Sequence, residues 1–358
     1  MSAGPVRTGG QLSGWDRVVQ GEGRTYSNRV GIRYLPELTW KIFGSGDATV
    51  DLDIEANLYA ASGPERTTTA DRFRLYRAWV RYSRASFDLR LGLQKISFGP
   101  ARMLRSLMWF DRLDPRDPLQ LTDGVYGLRV TYTSPVNTSL WMWALTGNEE
   151  PKGWEVSPTK DGSLEYGVRI QRPVPRGEMA LTAHRRVVDF RGFPDPEEER
   201  KGIPEARFAL DGIWDLGVGI WFEMAAIRAD LPSPASSWQS FLTAGTDYTF
   251  AVGNGVHFMG EYMRVDAGDG PFDGREEVSV LGLGLFYPVG IMDRLSVMNF
   301  SVPGQEISLF YLDWQRTTDL FTFHVSVFWN ARTAEKRPLA SLTALENRGI
   351  QLMAIFDH

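Results

Sequence analysis

From Tyr26 to the C-terminus, runs of ten to thirteen residues alternate apolar and polar positions. Alternation with a period of two gives a β-strand with two unlike faces. The run from Val50 to Leu58 is the clearest: Val50, Leu52, Ile54, Ala56 and Leu58 share one face, and Asp51, Asp53, Glu55 and Asn57 the other. Tyr126, Leu128, Val130 and Tyr132 oppose Gly127, Arg129 and Thr131 in the same way. Val218, Ile220, Phe222 and Met224 oppose Gly219, Trp221 and Glu223, and Phe321, Phe323, Val325 and Val327 oppose Thr322, His324 and Ser326.

Short breaks at 83–86, 134–137, 173–177, 215–217, 253–255 and 315–319 separate some runs. Longer polar stretches at 60–71, 95–123, 147–162, 187–204, 229–238, 265–277 and 331–347 separate others. An up-and-down meander with tight periplasmic turns and longer outer loops produces that rhythm. Strands of ten to twelve residues, at ~3.3 Å per residue and tilted ~40°, cross an apolar band ~25 Å tall. Strands of soluble sandwiches are usually ~5–6 residues long. Aromatic residues near strand ends, among them Tyr26, Tyr132, Tyr248, Trp314 and Trp329, suit girdles at the two membrane interfaces. The expected fold is therefore all-β, a transmembrane antiparallel up-and-down β-barrel. About 16 strands are expected, with 18 as the alternative, because closure favours an even number.

Residues 25–358 would form this single barrel domain. Residues 1–24 are expected to be an N-terminal periplasmic or disordered segment. They hold no basic start followed by an apolar run, so export implies a signal already removed or absent from this chain. The final run, Gly349 to Phe356, resembles the C-terminal strand that barrel-assembly machinery recognises, although Asp357 and His358 follow the aromatic residue.

Composition narrows the function classes. The absence of Cys rules out disulfides, thiolate metal sites and Cys nucleophiles. A net charge of -5 argues against a nucleic-acid partner. The apolar stretch from Val278 to Met292 is too short and too interrupted by Gly and Pro288 to span a bilayer as a helix. Only six of the 39 basic residues are Lys, which fits either genomic codon bias or a lumen built on planar guanidinium groups. The four histidines, His184, His257, His324 and His358, show no ligand-like spacing and no nucleophile–base signature. No catalytic residue, metal or cofactor is expected.

Two regions carry a family resemblance. The first runs through Arg74-Leu-Tyr-Arg-Ala-Trp-Val-Arg81, Leu89-Arg-Leu-Gly-Leu-Gln-Lys-Ile-Ser-Phe-Gly99, Phe110-Asp-Arg-Leu-Asp-Pro115 and Gly124-Val-Tyr-Gly-Leu-Arg-Val130. The second is Gly245-Thr-Asp-Tyr-Thr-Phe250 followed by Gly260-Glu-Tyr262. Both resemble the porin-like barrels that include phosphate-selective porins and alginate-export channels. The resemblance implies passive diffusion of a polar or anionic solute, not its identity. The lysine ladder of phosphate-selective porins has no counterpart here, and 358 residues are short for an alginate exporter.

A pore needs water-facing charges near a constriction. The stretch 95–123 is the candidate inward-folding loop, with Lys95, Arg102, Arg105, Arg112 and Arg116 against Asp111, Asp114, Asp117 and Asp123. Pro100, Pro115 and Pro118 stiffen it. On the wall, Arg29 and Arg33, then Asp51, Asp53 and Glu55, then Arg77 and Arg81 should share one face and form cross-strand pairs. Arg90, Arg129 and Arg169 have fewer acids nearby and are the stronger candidates for a solute path. The function expected is an outer-membrane channel for small polar or anionic solutes, partnered by the bilayer. The alternative is a structural sheath or anchor around a partner such as a cytochrome. A second copy of the chain is a further expected partner.

Overall fold

The computed structural model describes residues 4–20, 25–45, 47–62, 73–155, 157–189, 202–229, 237–305, 308–330 and 348–358. The outer stretches expected at 60–71, 187–204, 229–238 and 331–347 lie wholly or largely outside them. The first six strands are β1 Val6–Gln20, β2 Tyr26–Ser45, β3 Ala48–Ala61, β4 Phe73–Arg84, β5 Phe87–Gln94 and β6 Val125–Thr133. Next come β7 Ser139–Leu145, β8 Glu165–Val174, β9 Gly177–Val188, β10 Ile203–Asp215, β11 Gly219–Ala229 and β12 Trp238–Phe250. The last six are β13 Val256–Gly268, β14 Glu276–Pro288, β15 Asp293–Ser301, β16 Ser308–Thr317, β17 Phe321–Asn330 and β18 Arg348–Asp357.

Each strand pairs antiparallel with the next, and β1 closes the sheet on β18 from Gln11↔Asp357 to Gln20↔Arg348. The count is eighteen, the larger of the two numbers the sequence allowed. One expectation is corrected: residues 6–20 are a barrel strand, not a disordered or periplasmic segment. The cause of the misreading is chemical. The outward face of β1 reads Thr8, Gly10, Leu12, Gly14, Asp16 and Val18, too poor in apolar residues to signal a strand.

The barrel is apolar outside and polar inside. Leu91, Leu181, Phe208 and Leu352 are half or more exposed, while Glu165, Arg207, Glu223 and Glu261 are buried. That inversion is stable only with hydrocarbon around the sheet, because apolar side chains facing water would carry the full hydrophobic cost, and closure leaves no open sheet edge in the apolar band. Gly4, His358 and the short turns, such as 85–86 and 175–176, lie at one end, and the strand ends joined by the longer stretches lie at the other. The first end is the periplasmic one and the second the outer one.

Candidate functional site

The connection from β5 to β6, residues 95–124, folds into the lumen. It carries a small core of its own, with Ile96, Phe98, Leu104, Leu107, Trp109 and Phe110 all buried. Two wall carboxylates hold it. Glu261 on β13 accepts the backbone N–H groups of Arg102, Met103 and Leu104 at 2.7, 2.8 and 2.5 Å, and the Trp221 indole N–H at 3.0 Å. Glu223 on β11 accepts those of Ala101 and Leu107 at 2.9 and 3.0 Å. On β12 between them, the Thr243 hydroxyl donates to the Leu104 carbonyl at 2.7 Å. A loop cut off from sheet pairing must satisfy its N–H groups elsewhere, and here the wall supplies the acceptors.

Gly99 allows the close approach. Its φ of +93° lies in the left-handed region, and a Cβ there would sit 2.3 Å from Glu223 Oε1. Gly153, in the β7–β8 connection, does the same from outside: a Cβ would fall 1.6 Å from the Met108 carbonyl oxygen. Trp154 then donates its indole N–H to the Arg105 carbonyl at 2.8 Å. The aromatic side of the loop lies against the β7–β9 wall. Phe98 stacks on Trp143 with ring centres 6.0 Å apart, and Phe110 meets His184 edge-on at 5.1 Å.

The five loop cations divide into two sets. Arg105 is buried and paired with Asp111 at 2.8 Å, and Arg116 is clamped on Asp114 through two bonds of 2.8 Å. Lys95, Arg102 and Arg112 are exposed. Lys95 and Arg102 line a cavity of about 630 Å³ on the periplasmic side of the loop. Burial lowers the Lys95 ammonium below its ordinary pKa, against the attraction of Asp111. Arg112 reaches out to the Pro151 carbonyl at 3.2 Å. Farther along, Asp114, Arg116 and Asp117 border a second cavity of about 220 Å³ with Arg17, Arg29 and Arg33. Burial works against the Asp114 carboxylate, yet Arg116 holds it below the usual range. Burial holds Asp117 above that range, despite N–H bonds from Leu119 and Leu121 and the nearby Arg33.

The wall residues are placed differently from the pairing expected. Asp51 stands opposite Arg81, and Glu55 opposite Arg77, across β3 and β4. Even so, no ion pair joins Asp51, Asp53 or Glu55 to Arg29, Arg33, Arg77 or Arg81 among the described residues. Arg81 pairs instead with Asp88 on β5. Arg77 donates to the Thr122 carbonyl at 2.7 Å and so ties down the end of the loop. Arg33 lies over the Trp15 and Tyr59 rings at 5.6 and 5.0 Å.

The three favoured arginines also divide. Arg169 is neutralised by Asp211, with bonds of 2.6 and 2.8 Å reaching from β8 to β10. The expectation of few acids near Arg169 is therefore corrected, while Arg169 still borders the 630 Å³ cavity. Arg90 and Arg129 make no ion pair among the described residues. Their guanidinium carbons lie 4.1 and 5.3 Å from the ring centres of Trp79 and Trp141. Arg81, Arg90 and Arg129 form one cross-strand row on β4, β5 and β6, with strands ~4.8 Å apart.

Several structurally active residues escaped the sequence reading. Glu223 and Glu261 showed only as polar-face positions. On the outer side of the loop, Lys152 meets Glu165 at 2.8 Å, Arg186 meets Glu205 at 2.6 Å, and Arg207 meets Glu155 at 2.6 Å. The network closes through Glu155 and Glu205, which each meet both Arg186 and Arg207, and most of its pairs join residues far apart in the sequence.

No protein-family model matches the sequence, and no curated protein does. Solved structures share its fold. An anion-selective porin from Comamonas acidovorans aligns over 100% of both chains with a TM-score of 0.55 and 10% identity. OccD3 of Pseudomonas aeruginosa aligns over 98% of this chain and 91% of its own, with a TM-score of 0.58 and 9% identity. Wzi of Escherichia coli, a carbohydrate-binding barrel involved in group 1 capsule assembly, aligns over 97% and 84%, with a TM-score of 0.54 and 15% identity. At such identities the likeness is one of fold: a porin-like barrel of the outer membrane.

Proposed function

We propose that this outer-membrane barrel is a passive channel for small polar solutes, narrowed by the loop 95–124 and biased toward anions. The observation that carries the anion bias is the Arg81–Arg90–Arg129 row. Like charges directly opposite each other destabilise a sheet. Three guanidiniums in register, with Asp88 the one acid bonded to them among the described residues, are a standing cost that a purely structural wall would avoid. Trp141 belongs both to the stack under Arg129 and to the rim of the 630 Å³ cavity, so the row adjoins the space left beside the loop. Lys95 and Arg102 face that space from the loop.

The sheath alternative requires a lumen free to receive a partner. Here a docked loop with its own apolar core takes up the middle of the barrel, which favours the channel. Reversal potentials in a salt gradient test the proposal. Replacing Arg90 and Arg129 with Ser should shift the potential toward cation preference, with the barrel still folded. An unchanged reversal potential would remove the row from the solute path.

A further inference from the structure

Inward positions of a porin wall are usually polar, yet one sector here is not. Alternation turns Met259 and Met263 of β13, Val280 and Phe286 of β14, and Met298 and Phe300 of β15 toward the lumen. Leu283, Leu285 and Val297 of the same strands are exposed on the outside. Over this sector the one inward charge is Glu261, and loop N–H groups occupy it. The loop residue Met103 also packs here, so close that a Cβ at Gly284 would lie 3.5 Å from its Sδ. In strand order the sector is diametrically placed: β14 lies nine strands from β5, half the circuit of eighteen, and β5 carries the middle arginine of the Arg81–Arg90–Arg129 row.

The docked loop leaves part of the apolar sector uncovered. Met103, Met259, Phe286 and Met298 all border the cavity of about 630 Å³. The same border carries two engaged cations, Arg169 on Asp211 and Arg105 on Asp111. It also carries Lys95 and Arg102, which are exposed and make no ion pair among the described residues. The one other acid on it, Glu178, accepts the Gln171 amide at 2.8 Å. Two cations against one acid leave a single positive charge beside a thioether and phenyl surface.

We propose that this cavity selects organic monoanions with an apolar body, such as aryl carboxylates, over inorganic anions and short bare acids. The inference rests on the channel reading above and names its substrate class. A hydrated chloride gains nothing from a methionine side chain, and a sugar needs polar partners there. An aryl carboxylate satisfies both parts of the border: its carboxylate meets Lys95 and Arg102, and its ring meets Met259, Phe286 and Met298. Unbranched, polarisable thioethers adapt to rings of different outline. Sites that hold small molecules have volumes of ~300–1,000 Å³ and combine a largely apolar lining with a few placed polar groups.

The test is interruption of the chloride current through the full chain in planar bilayers by benzoate, acetate and benzylammonium. Benzoate should act at about one tenth of the acetate concentration, a gap of ~1.4 kcal/mol. Benzylammonium, with the same ring and the opposite charge, should act least. Met259→Gln with Met298→Gln keeps side-chain length and adds polarity, and should close the gap to about threefold or less. Phe286→Gln, which alters the wall without touching either methionine, should narrow it as well. Lys95→Ser with Arg102→Ser should raise the concentration that both acids require. A conducting parent that treats benzoate and acetate alike would overturn the inference and leave the channel reading standing. So would benzylammonium matching benzoate, a gap undiminished in both Gln variants, or a benzoate response untouched by loss of the two cations. A parent that carries no chloride current overturns the channel reading itself, and this inference with it.

Discussion

Glu261 offers the most direct way to loosen the docked loop. Its carboxylate gathers four N–H donors, three from consecutive loop residues, at 2.5 to 3.0 Å. Hydrogen bonds to a charged group contribute ~1.5–3 kcal/mol each, and bonds that share one acceptor do not add. Glu261→Gln keeps one acceptor oxygen but turns the other into a donor facing donors, so a loss of about 3 kcal/mol in docking is expected. At ~1.4 kcal/mol per tenfold, the undocked fraction of residues 102–104 rises by about two orders of magnitude. The loop does not leave for good. Phe98, Leu104, Leu107, Trp109 and Phe110 stay packed, each worth roughly 1.5–3 kcal/mol of burial. Single-channel records in planar bilayers should therefore show brief excursions to higher conductance, absent from the parent. Adding Glu223→Gln releases Ala101 and Leu107 as well and should lengthen the excursions. Records from both variants that superimpose on the parent's would refute the idea that these carboxylates hold a constriction.

Other outcomes follow from the same geometry. Deleting residues from Ala101 to Leu113 should raise single-channel conductance permanently, and unchanged conductance would place the loop outside the conduction path. Gly99→Ala forces a side chain into a left-handed backbone beside Glu223, at a strain of about 1–3 kcal/mol; the excursions seen for the anchor variants should reappear, and quiet records would show that the site tolerates a Cβ. Asp117, held above the ordinary carboxylate range of ~4 by burial, gains its proton at a higher pH than an ordinary aspartate does. Its neutralisation leaves Arg17, Arg29, Arg33, Arg116 and Asp114 around the smaller cavity, so anion preference should rise on mild acidification. Asp117→Asn should show the acid-side reversal potential already at neutral pH, and a parent-like titration curve in that variant would assign the effect elsewhere.

The wall was legible in the sequence because lipid demands alternation of every strand that faces it. Val50–Leu58 shows this in nine residues. β1 was not legible, since glycines occupy outward positions where other strands place large apolar groups. The inner charges were visible as polar positions but not as partners. Arg169 looked unpaired because Asp211 lies 42 residues away on β10 and meets it only when the sheet curves. Glu223 and Glu261 resembled any lumen acid. Their role depends on a loop reaching them from β5, more than a hundred residues earlier. Local pattern thus reports which face a residue takes, and closure of the barrel decides whom it meets.

The scarcity of Lys can now be set against geometry rather than composition alone. Arg207 and Arg186 sit in buried forks with Glu155 and Glu205, a task for a planar group with several fixed donors. Arg90 and Arg129 use the same planarity differently, lying over Trp79 and Trp141 without a carboxylate bonded to either among the described residues. A guanidinium held by a ring keeps its charge without an acid partner, so it can face a passing anion. An ammonium on a flexible stem is more strongly hydrated and stacks less well. Arg90→Lys with Arg129→Lys preserves charge and removes the stacking geometry. If planarity matters, anion preference should fall part of the way toward that of the Ser variant, and the loss should be largest at high salt, where mobile charges are screened most. If the Lys variant keeps the full preference at every salt concentration, charge alone suffices and codon usage explains the arginines of this row.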